Sequence, residues 1–446
     1  MFNLKKILLF FSINILFGQR VVGYYPHWVQ TSFPLSEIDF SVVTHVNHAF
    51  AWPDEEGNIQ TYDNLFDIAN SQTIHEQGAK FILSLGGWGN NAGFEAVVSS
   101  SSLRTAFINN LIEVCDSYGY DGVDLDWEHP SSISDRQNLN LLIEEMDSLF
   151  NEHNSDLLIT MAIPVSNWSG QWYDFSFLKN HIDFFNAMTY DMHGSWSSDA
   201  GHNSPLFQSP PGDPDGSCST AIVYLVTTRG IPRQKINLGL PFWGKKYVTS
   251  DINESFSGDV IDMWYNEITP LIGNGWSYQW DSNAFCPYLV KEDQSKIITF
   301  DDQESIRYKC EYATAQNLGG LMIWALGYDL TLNGQELIQS INDNYLQNHQ
   351  IRTIIPEQLS IKTFPNPFNS NCILEFNLPN DEFISIDLFS INGLFIARLF
   401  SGYMYQGVNQ YNWNVHSMKQ NISSGLFLIS LATKKKNYLQ KIIHLK

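Results

Sequence analysis

Short apolar segments rich in β-branched residues recur along the chain up to about residue 326. Several of them have little polar alternation, which is typical of parallel strands that are buried on both faces of a sheet. The eight strands predicted from this pattern are Arg20–Tyr25, Val43–Phe50, Lys80–Leu85, Tyr120–Glu128, Leu157–Ile163, Asp183–Tyr190, Lys235–Phe242 and Gly320–Leu326.

Helical periodicity fills many of the intervals between these strands. Over Ser101–Ser117 and Arg136–Phe150, apolar residues recur every three or four positions, as on one face of an amphipathic helix. Asp301–Gln316 and Gly334–Tyr345 are further predicted helices. Strands that alternate with helices predict an α/β protein, specifically a (β/α)8 TIM barrel, in which reactive groups lie at the C-terminal ends of the strands.

Two segments depart from a plain barrel over residues 19–346. The connection after the first strand is poor in helical pattern, and the segment of about 245–299 is too long for a simple crossover. We therefore predict a small inserted module between strands seven and eight. After a predicted linker at 347–358, short alternating strands and turn signals predict a small all-β sandwich over 359–446.

The first residues have the pattern of an export signal. Lys5 and Lys6 precede an apolar run at 7–17, which is too short to span a bilayer. We predict a signal peptide at 1–18 and a protein that is secreted or attached to the cell surface. A buried first helix is the alternative interpretation.

The chain of 446 residues has a net charge of −22, which is unevenly distributed. Residues 357–446 contain 8 Lys and Arg against 5 Asp and Glu, so the acidic excess lies in the preceding part. This change supports a domain boundary near residue 350. The acidic charge argues against nucleic acid as a partner, because phosphates would be repelled. No cofactor is expected, and a monomer is expected.

The cysteines fit neither a zinc site nor a redox pair by their spacing. The sequence contains five of them, Cys115, Cys218, Cys286, Cys310 and Cys372. An odd number leaves at least one thiol free. Export permits a disulfide, for which Cys286–Cys310 is the candidate, and buried free thiols are the alternative.

The fourth predicted strand carries a dense row of acids. Alternate residues of a strand share one face, so Asp124, Asp126 and Glu128 are expected to point together into the barrel, with Asp121 on the opposite face. Their crowding should raise some of their pKa values and keep one carboxyl protonated as a general acid. A Mg²⁺ or Ca²⁺ site and a solvated acidic turn are the alternatives, and we assign no metal.

The segment from Asp121 to Glu128 resembles the D-x-x-D-x-D-x-E signature of family 18 glycoside hydrolases, the chitinase family. Other segments resemble strands of that family in the expected order, over about residues 19–346, and the inserted module resembles the α+β insertion of the bacterial chitinases in that family. The segments are Gly23-Tyr-Tyr, Ser84-Leu-Gly-Gly-Trp88, Met188-Thr-Tyr-Asp191, Gly239-Leu-Pro-Phe-Trp-Gly244, Asp301-Asp-x-x-Ser305 and Gly320-Leu-Met-Ile-Trp324.

The resemblance implies roles for individual residues. Glu128 would be the general acid and base, Asp126 would orient the 2-acetamido group of the substrate, Asp124 would tune the shared proton, and Tyr190 would donate to the acetamido oxygen. The family is among the substrate-assisted glycosidases. A substrate-binding role is implied for residues at other strand ends, namely Tyr24, Phe50, Ser84, Trp88, Met188, Asp191 and Trp324.

Two further comparisons with known patterns complete the interpretation. Many relatives carry Gly-Arg where this chain has Gly244-Lys245, which replaces a fork-shaped donor by a point charge. Residues of about 357–446, including Phe364-Pro-Asn-Pro-Phe-Asn369, resemble the type A sorting domain of the type IX, or Por, secretion system. That resemblance implies the type IX secretion machinery as a partner. A carbohydrate-binding module is the alternative for this domain.

The sequence therefore predicts a secreted chitinase that acts on chitin or chitooligosaccharides. Two alternatives stay open, a non-catalytic chitin-binding lectin on the same fold and an endo-N-acetylglucosaminidase acting on glycoprotein glycans. The presence of Glu128 argues against the lectin.

Overall fold

The computed structural model describes residues 19–446, except 64, 92, 211, 347–360, 379–381, 405–406, 416–421, 434–436 and 446. The predicted signal peptide at 1–18 and the predicted linker at 347–358 lie outside the described residues. Both stay predictions.

Among the described residues, sixteen strands precede the C-terminal region. In chain order they are β1 Arg20–Pro26, β2 His45–Pro53, β3 Ile59–Thr61, β4 Lys80–Gly86, β5 Gly122–Asp126, β6 Leu158–Ile163, β7 Phe184–Ala187, β8 Ile236–Pro241, β9 Trp243–Val248, β10 Ser257–Trp264, β11 Trp276–Asp281, β12 Cys286–Lys291, β13 Ile297–Thr299, β14 Gly320–Trp324, β15 Leu330–Thr331 and β16 Gly334–Gln335.

Eight of these strands form a closed parallel barrel, which confirms the predicted fold. The order β1-β14-β8-β7-β6-β5-β4-β2 is closed by parallel pairing between β1 and β2. The short β3 pairs antiparallel with the end of β2. All eight predicted strands are present, and nearly every residue in them is buried, as parallel strands covered on both faces require.

Helices cover the outside of the barrel. They are α1 Ile68–Glu76, α2 Phe94–Ser99, α3 Ser101–Tyr118, α4 Ile133–His153, α5 Asn167–Gly170, α6 Phe175–Leu178, α7 Cys218–Val223, α8 Tyr265–Ile268, α9 Gln303–Ala315 and α10 Glu336–Ile341. Short 3₁₀ turns lie at His27–Val29, Leu35–Glu37, Arg233–Lys235 and Thr269–Leu271, and π turns at Tyr224–Thr228 and Asn342–Leu346.

Local signals set the ends of the long helices. The side chain of Ser132 accepts a hydrogen bond from Asp135 N at the start of α4, and Asp302 caps α9 in the same way through Ser305 N. Both satisfy backbone donors that a first helical turn leaves open. Helix α3 ends at Gly119, whose φ of 71° lies in the left-handed region that favours glycine.

The insertion between the seventh and eighth barrel strands contains a five-stranded antiparallel sheet in the order β10-β9-β13-β12-β11. With the single turn of α8, it has the α+β character that the sequence predicts. The sheet begins at Trp243, two residues before the predicted start, because β9 follows β8 after one residue.

The C-terminal region consists of two antiparallel sheets. Its strands are β17 Lys362–Phe364, β18 Asn371–Leu378, β19 Glu382–Ser390, β20 Phe395–Met404, β21 Gly407–Asn414, β22 Gly425–Ala432 and β23 Asn437–His444. One sheet has the order β17-β18-β21 and the other β20-β19-β22-β23. Residues from both sheets, among them Leu374, Ile386 and Trp413, share one apolar core. The predicted all-β class is confirmed.

Within the described part of the chain, no helix is both long enough and apolar enough to cross a bilayer.

The predicted Cys286–Cys310 disulfide is wrong. All five cysteines are buried and free. Cys286 lies in the insertion sheet, where its thiol contacts the carbonyl oxygen of Ser204 at 3.3 Å, whereas Cys310 lies on helix α9. Spacing along the chain does not indicate this separation, and the alternative of buried thiols holds.

Thiol reactivity checks this arrangement. The native protein should react with a thiol-specific chromophore at well under one equivalent, because the thiols are buried, and at five equivalents after denaturation. Added reductant should leave the thermal midpoint unchanged. Fewer than five reactive thiols under denaturing, non-reducing conditions would reveal a disulfide.

Candidate active site

Strand β5 carries the predicted acidic row. Asp124 and Asp126 lie within the strand and Glu128 follows two residues after its end. Asp121 lies before the strand, where its carboxylate binds His75 and Lys80 at 2.8 Å each. The acids are therefore divided as strand alternation predicts, with one outer carboxylate bound by His75 and Lys80 and the other three placed towards the open end of the barrel.

Asp124 is the innermost of the three and has no exposed surface. Its carboxylate accepts hydrogen bonds from Tyr24 at 2.7 Å, Ser84 at 2.9 Å, Thr160 at 2.6 Å and Asn186 at 3.1 Å. Burial raises the pKa of Asp124, and the four hydrogen bonds oppose that increase. Neutral donors thus satisfy this carboxylate without a cation.

Asp126 lies next along the strand and is 5 % exposed. Its Oδ1 atom is buried and has no hydrogen-bond partner within the part of the chain that the structure describes. Burial, and then the negative charges of Glu128 and Asp124, hold its pKa well above the ordinary value. Asp126 is therefore a protonatable group with an acceptor atom left open.

Glu128 is the outermost carboxyl, with a side chain that is 15 % exposed. Burial, followed by the charge of Asp191, raises its pKa to about 7. Its backbone is held on both sides by Asn91, whose Oδ1 accepts from Glu128 N at 3.1 Å and whose Nδ2 donates to the Glu128 carbonyl oxygen. Glu128 is thus a fixed carboxyl that keeps its proton near neutral pH.

Tyr190 and Asp191 lie just beyond β7, two strands from β5 at the same end of the barrel. The Tyr190 hydroxyl is 3.9 Å from the Met322 sulfur, and burial raises its pKa well above the ordinary value, so it stays a hydrogen donor. Asp191 has a left-handed φ of 56°, and its carboxylate contacts Lys245 Nζ at 2.7 Å.

Lys245 lies beside Asp191 and carries a single point charge. Its ammonium contacts Asp262 at 3.0 Å in addition to Asp191. It also lies over the rings of Trp243 and Trp196, 4.4 Å and 5.4 Å from their centroids, as in a cation–π interaction. The ammonium group of Lys245 therefore pairs with two carboxylates and contacts two indole rings.

Aromatic rings surround the carboxyl groups. Trp324 is half-buried, and its ring centroid lies 5.4 Å from that of Tyr24 and 5.7 Å from that of Phe50. Met188 packs against the same cluster. Trp88 is 77 % exposed, so a flat apolar face is open to solvent at the end of the third barrel strand.

Two of the predicted substrate-binding residues are placed differently from the expectation. Ser84 has no exposed surface and Tyr24 only 1 %, and both hydroxyls donate to Asp124. Their position is beneath the carboxyl row, because the strand pattern that makes them line the barrel also makes Asp124 their nearest acceptor. We therefore correct their predicted role to support of Asp124.

Sequence reasoning missed several residues around the acids. The sequence could have indicated Thr160 and Asn186, since each is a polar residue in the middle of an otherwise apolar strand. Asn91 and Tyr173 lie in connections and gave no such signal. Tyr173 donates to the Trp127 carbonyl oxygen at 2.9 Å.

One group of side chains has the composition of a metal site within the described residues, namely His193, Asp213 and Asp215. His193 Nε2 is 3.1 Å from Asp213 and 3.6 Å from Asp215. Ion pairing accounts for this contact, which ties together the two ends of the connection after β7.

Carboxyl groups of graded protonation at the open end of a (β/α)8 barrel define an enzyme scaffold suited to acid–base chemistry. The family model for glycosyl hydrolases family 18 matches residues 20–329, and the chain belongs to that family. A model for the secretion system C-terminal sorting domain matches residues 362–445. Both resemblances found in the sequence are confirmed, and the second indicates export through type IX secretion.

Several of the similar proteins are named as chitinases or probable chitinases. The chain is 29 % identical to probable chitinase 2 of Drosophila melanogaster over 74 % of this chain and 76 % of that protein. It is 28 % identical to a probable endochitinase of Caenorhabditis elegans over 69 % of this chain, and it spans 55 % of the length of that relative. The structure of the Ostrinia furnacalis Group IV chitinase in complex with allosamidin has a TM-score of 0.67 and 27 % identity, covering 73 % of this chain and 98 % of that one.

The raised pKa of Glu128 predicts a dependence of stability on pH. The folded state holds this proton up to about pH 7, whereas the unfolded chain releases it near its ordinary value of 4.5, so this carboxyl makes the fold less stable as pH rises between those values. Glu128→Gln removes the effect. Its thermal midpoint should therefore exceed that of the unaltered protein by more at pH 8 than at pH 4.

The exposed Glu152→Gln variant on helix α4 is the matched control and should show no such trend. An equal difference between Glu128→Gln and the unaltered protein at both pH values would contradict the assigned environment of Glu128.

Proposed function

We propose that the protein is an exported chitinase that hydrolyses β-1,4 linkages between N-acetylglucosamine residues with retention of configuration. The observation that carries this proposal is the position of Glu128. It is a carboxyl at the mouth of the barrel whose pKa is raised to about 7, next to the partly unpartnered Asp126. A general acid needs a pKa near the working pH.

Glu128 would donate its proton to the glycosidic oxygen as the bond to the leaving sugar breaks. The same carboxylate would then accept a proton from the water that completes hydrolysis. Asn91 supports this role, because its two hydrogen bonds fix the backbone from which the acid projects. Fixed placement of a reacting group accounts for much of the rate gain in such steps.

The nucleophile would be the 2-acetamido oxygen of the substrate itself. Asp124 and Asp126 rise from the same strand as Glu128, on the side of the acid, whereas a two-carboxylate retaining mechanism needs a carboxylate on the opposite face of the sugar. The open Oδ1 atom of Asp126 suits the acetamido N–H. The protonated hydroxyl of Tyr190 suits the acetamido oxygen.

The sugar would lie over the indole of Trp324, which is supported by Tyr24 and Phe50. The exposed ring of Trp88 offers a second flat surface for a neighbouring sugar. Asp191 would bind polar groups of the substrate near Tyr190, and Met188 would complete the apolar wall. An aromatic platform of this kind favours an unbranched chain of N-acetylated sugars.

Export would deliver this activity outside the cell. The C-terminal domain would engage the type IX machinery, after which the enzyme is released or retained at the cell surface. The predicted signal peptide at 1–18 would provide the first step across the inner membrane.

Glu128→Gln tests the proposal directly. Because glutamine cannot supply a proton, turnover of a chitooligosaccharide should fall by about 10²–10⁴-fold, while oligosaccharide affinity measured by calorimetry stays close to that of the unaltered enzyme. The control Glu152→Gln should retain full activity. Near-native turnover by Glu128→Gln would contradict the assignment of the acid.

The same assay separates the alternatives. A lectin would bind the oligosaccharide without cleaving it even with Glu128 intact, and an endo-N-acetylglucosaminidase would release glycans from a glycoprotein faster than it cleaves chitin oligomers. For the proposed chitinase, the first product resolved by NMR should be the β-anomer, as retention requires.

A further inference from the structure

His129 follows the acid and lies beside it. Its Nε2 atom is 3.6 Å from Glu128 Oε2, and its side chain is 12 % exposed. The imidazole lies between two exposed indoles, with centroids 6.4 Å from Trp88 and 5.7 Å from Trp168, both edge-on. The ring is therefore packed between the edges of two indoles.

The other ring nitrogen identifies the tautomer. His129 Nδ1 is 3.4 Å from the Tyr173 hydroxyl, and that hydroxyl donates its single hydrogen to the Trp127 carbonyl oxygen at 2.9 Å. Tyr173 can therefore only accept from the imidazole, which places the hydrogen on Nδ1. In the neutral ring, Nε2 then presents a lone pair towards Glu128.

A lone pair in that position favours one protonation state of its neighbour. It repels a carboxylate, but it accepts a hydrogen bond from a protonated carboxyl. Burial lowers the pKa of His129 to about 4 and raises the pKa of Glu128 to about 7, so between those values the imidazole is neutral while the carboxyl holds its proton.

Other groups around Glu128 act in the same direction. Asp126 lies below it on the strand and Asp191 faces it from the connection after β7, and both carboxylates disfavour a further negative charge. The nearby phenols of Tyr173 and Tyr190 are uncharged, because burial raises their pKa values. Lys245 is the nearby cation and is paired with Asp191.

We propose that His129 is a positioning residue that keeps the proton on Glu128 in the free enzyme. Its Nε2 lone pair stands 3.6 Å from Glu128 Oε2, just beyond hydrogen-bond distance, and a small shift of either side chain lets it accept a hydrogen bond from the protonated carboxyl. When a sugar chain binds, the same O–H would turn from His129 to the glycosidic oxygen. No proton passes to the imidazole. This inference rests on the proposed role of Glu128 as general acid.

Two substitutions separate hydrogen bonding from packing. His129→Phe keeps a flat ring between the indoles but removes the acceptor, and His129→Gln keeps an acceptor in its amide oxygen. The basic limb of the pH profile of kcat/KM, which reports the acid in the free enzyme, should move down by about half a unit to one unit in the phenylalanine variant. It should stay near the unaltered value in the glutamine variant.

His153→Phe is the matched control, since His153 pairs with Asp116 at the surface, and its profile should be unchanged. An unmoved limb in His129→Phe overturns the proposal. An equal movement in both His129 variants overturns it as well, because packing alone would then explain the effect.

A second measurement needs neither a variant nor turnover. In the unaltered protein at pH 6, ¹⁵N NMR should show His129 protonated on Nδ1 and unprotonated on Nε2. Protonation on Nε2, or on both nitrogens, overturns the proposal. If this tautomer is present but the unaltered protein cleaves no chitooligosaccharide, the proposed enzymatic function has failed while the assigned tautomer stands.

Discussion

The burial of three carboxyl groups on one strand is the constraint on which the rest of the site depends. An ionised carboxylate is costly in a poorly solvated barrel unless donors satisfy it. The innermost, Asp124, obtains its donors from four other barrel strands, through Tyr24, Ser84, Thr160 and Asn186. Only a closed barrel brings these four strands close enough for their side chains to reach Asp124. Closure of the barrel is therefore required for the hydrogen bonds that satisfy this carboxylate.

The three acids have similar chemistry but different surroundings. Asp124 is fully satisfied by hydrogen bonds, Asp126 has an open oxygen atom, and Glu128 lies at the opening under the influence of Asp191. Hydrogen-bond donors to the carboxylate are most numerous at Asp124, the innermost of the three. Glu128 lies at the outer end, where its pKa is raised and its carboxyl can hold a proton. The row thus runs from Asp124, a carboxylate enclosed by donors, to Glu128, a carboxyl at the opening of the barrel.

The barrel could be predicted from the sequence because apolar strands and amphipathic helices alternate over its length. The shared face of Asp124, Asp126 and Glu128 could be predicted because side chains alternate along a strand with a period of two. The sequence was insufficient where contacts depend on connections. Asn91 and Tyr173 bind the backbone of Glu128 and Trp127 from connections between regular elements. Such connections have no periodic pattern from which their course could be predicted. Ser84 was expected to contact substrate from a family resemblance, and neither that resemblance nor the strand pattern indicates that its side chain has no exposed surface.

Lys245 contributes to the electrostatic environment of Glu128 through its contact with Asp191. A charge of −1 on Asp191 facing Glu128 raises the pKa of the acid, and the ammonium of Lys245 at 2.7 Å opposes that charge. Because lysine is a point charge, it can be shared with Asp262 on β10 and with the indole faces of Trp243 and Trp196. Since β9 and β10 belong to the insertion sheet, the insertion supplies part of the electrostatic environment of the acid. The insertion is therefore a component of the active site as well as an addition to the barrel.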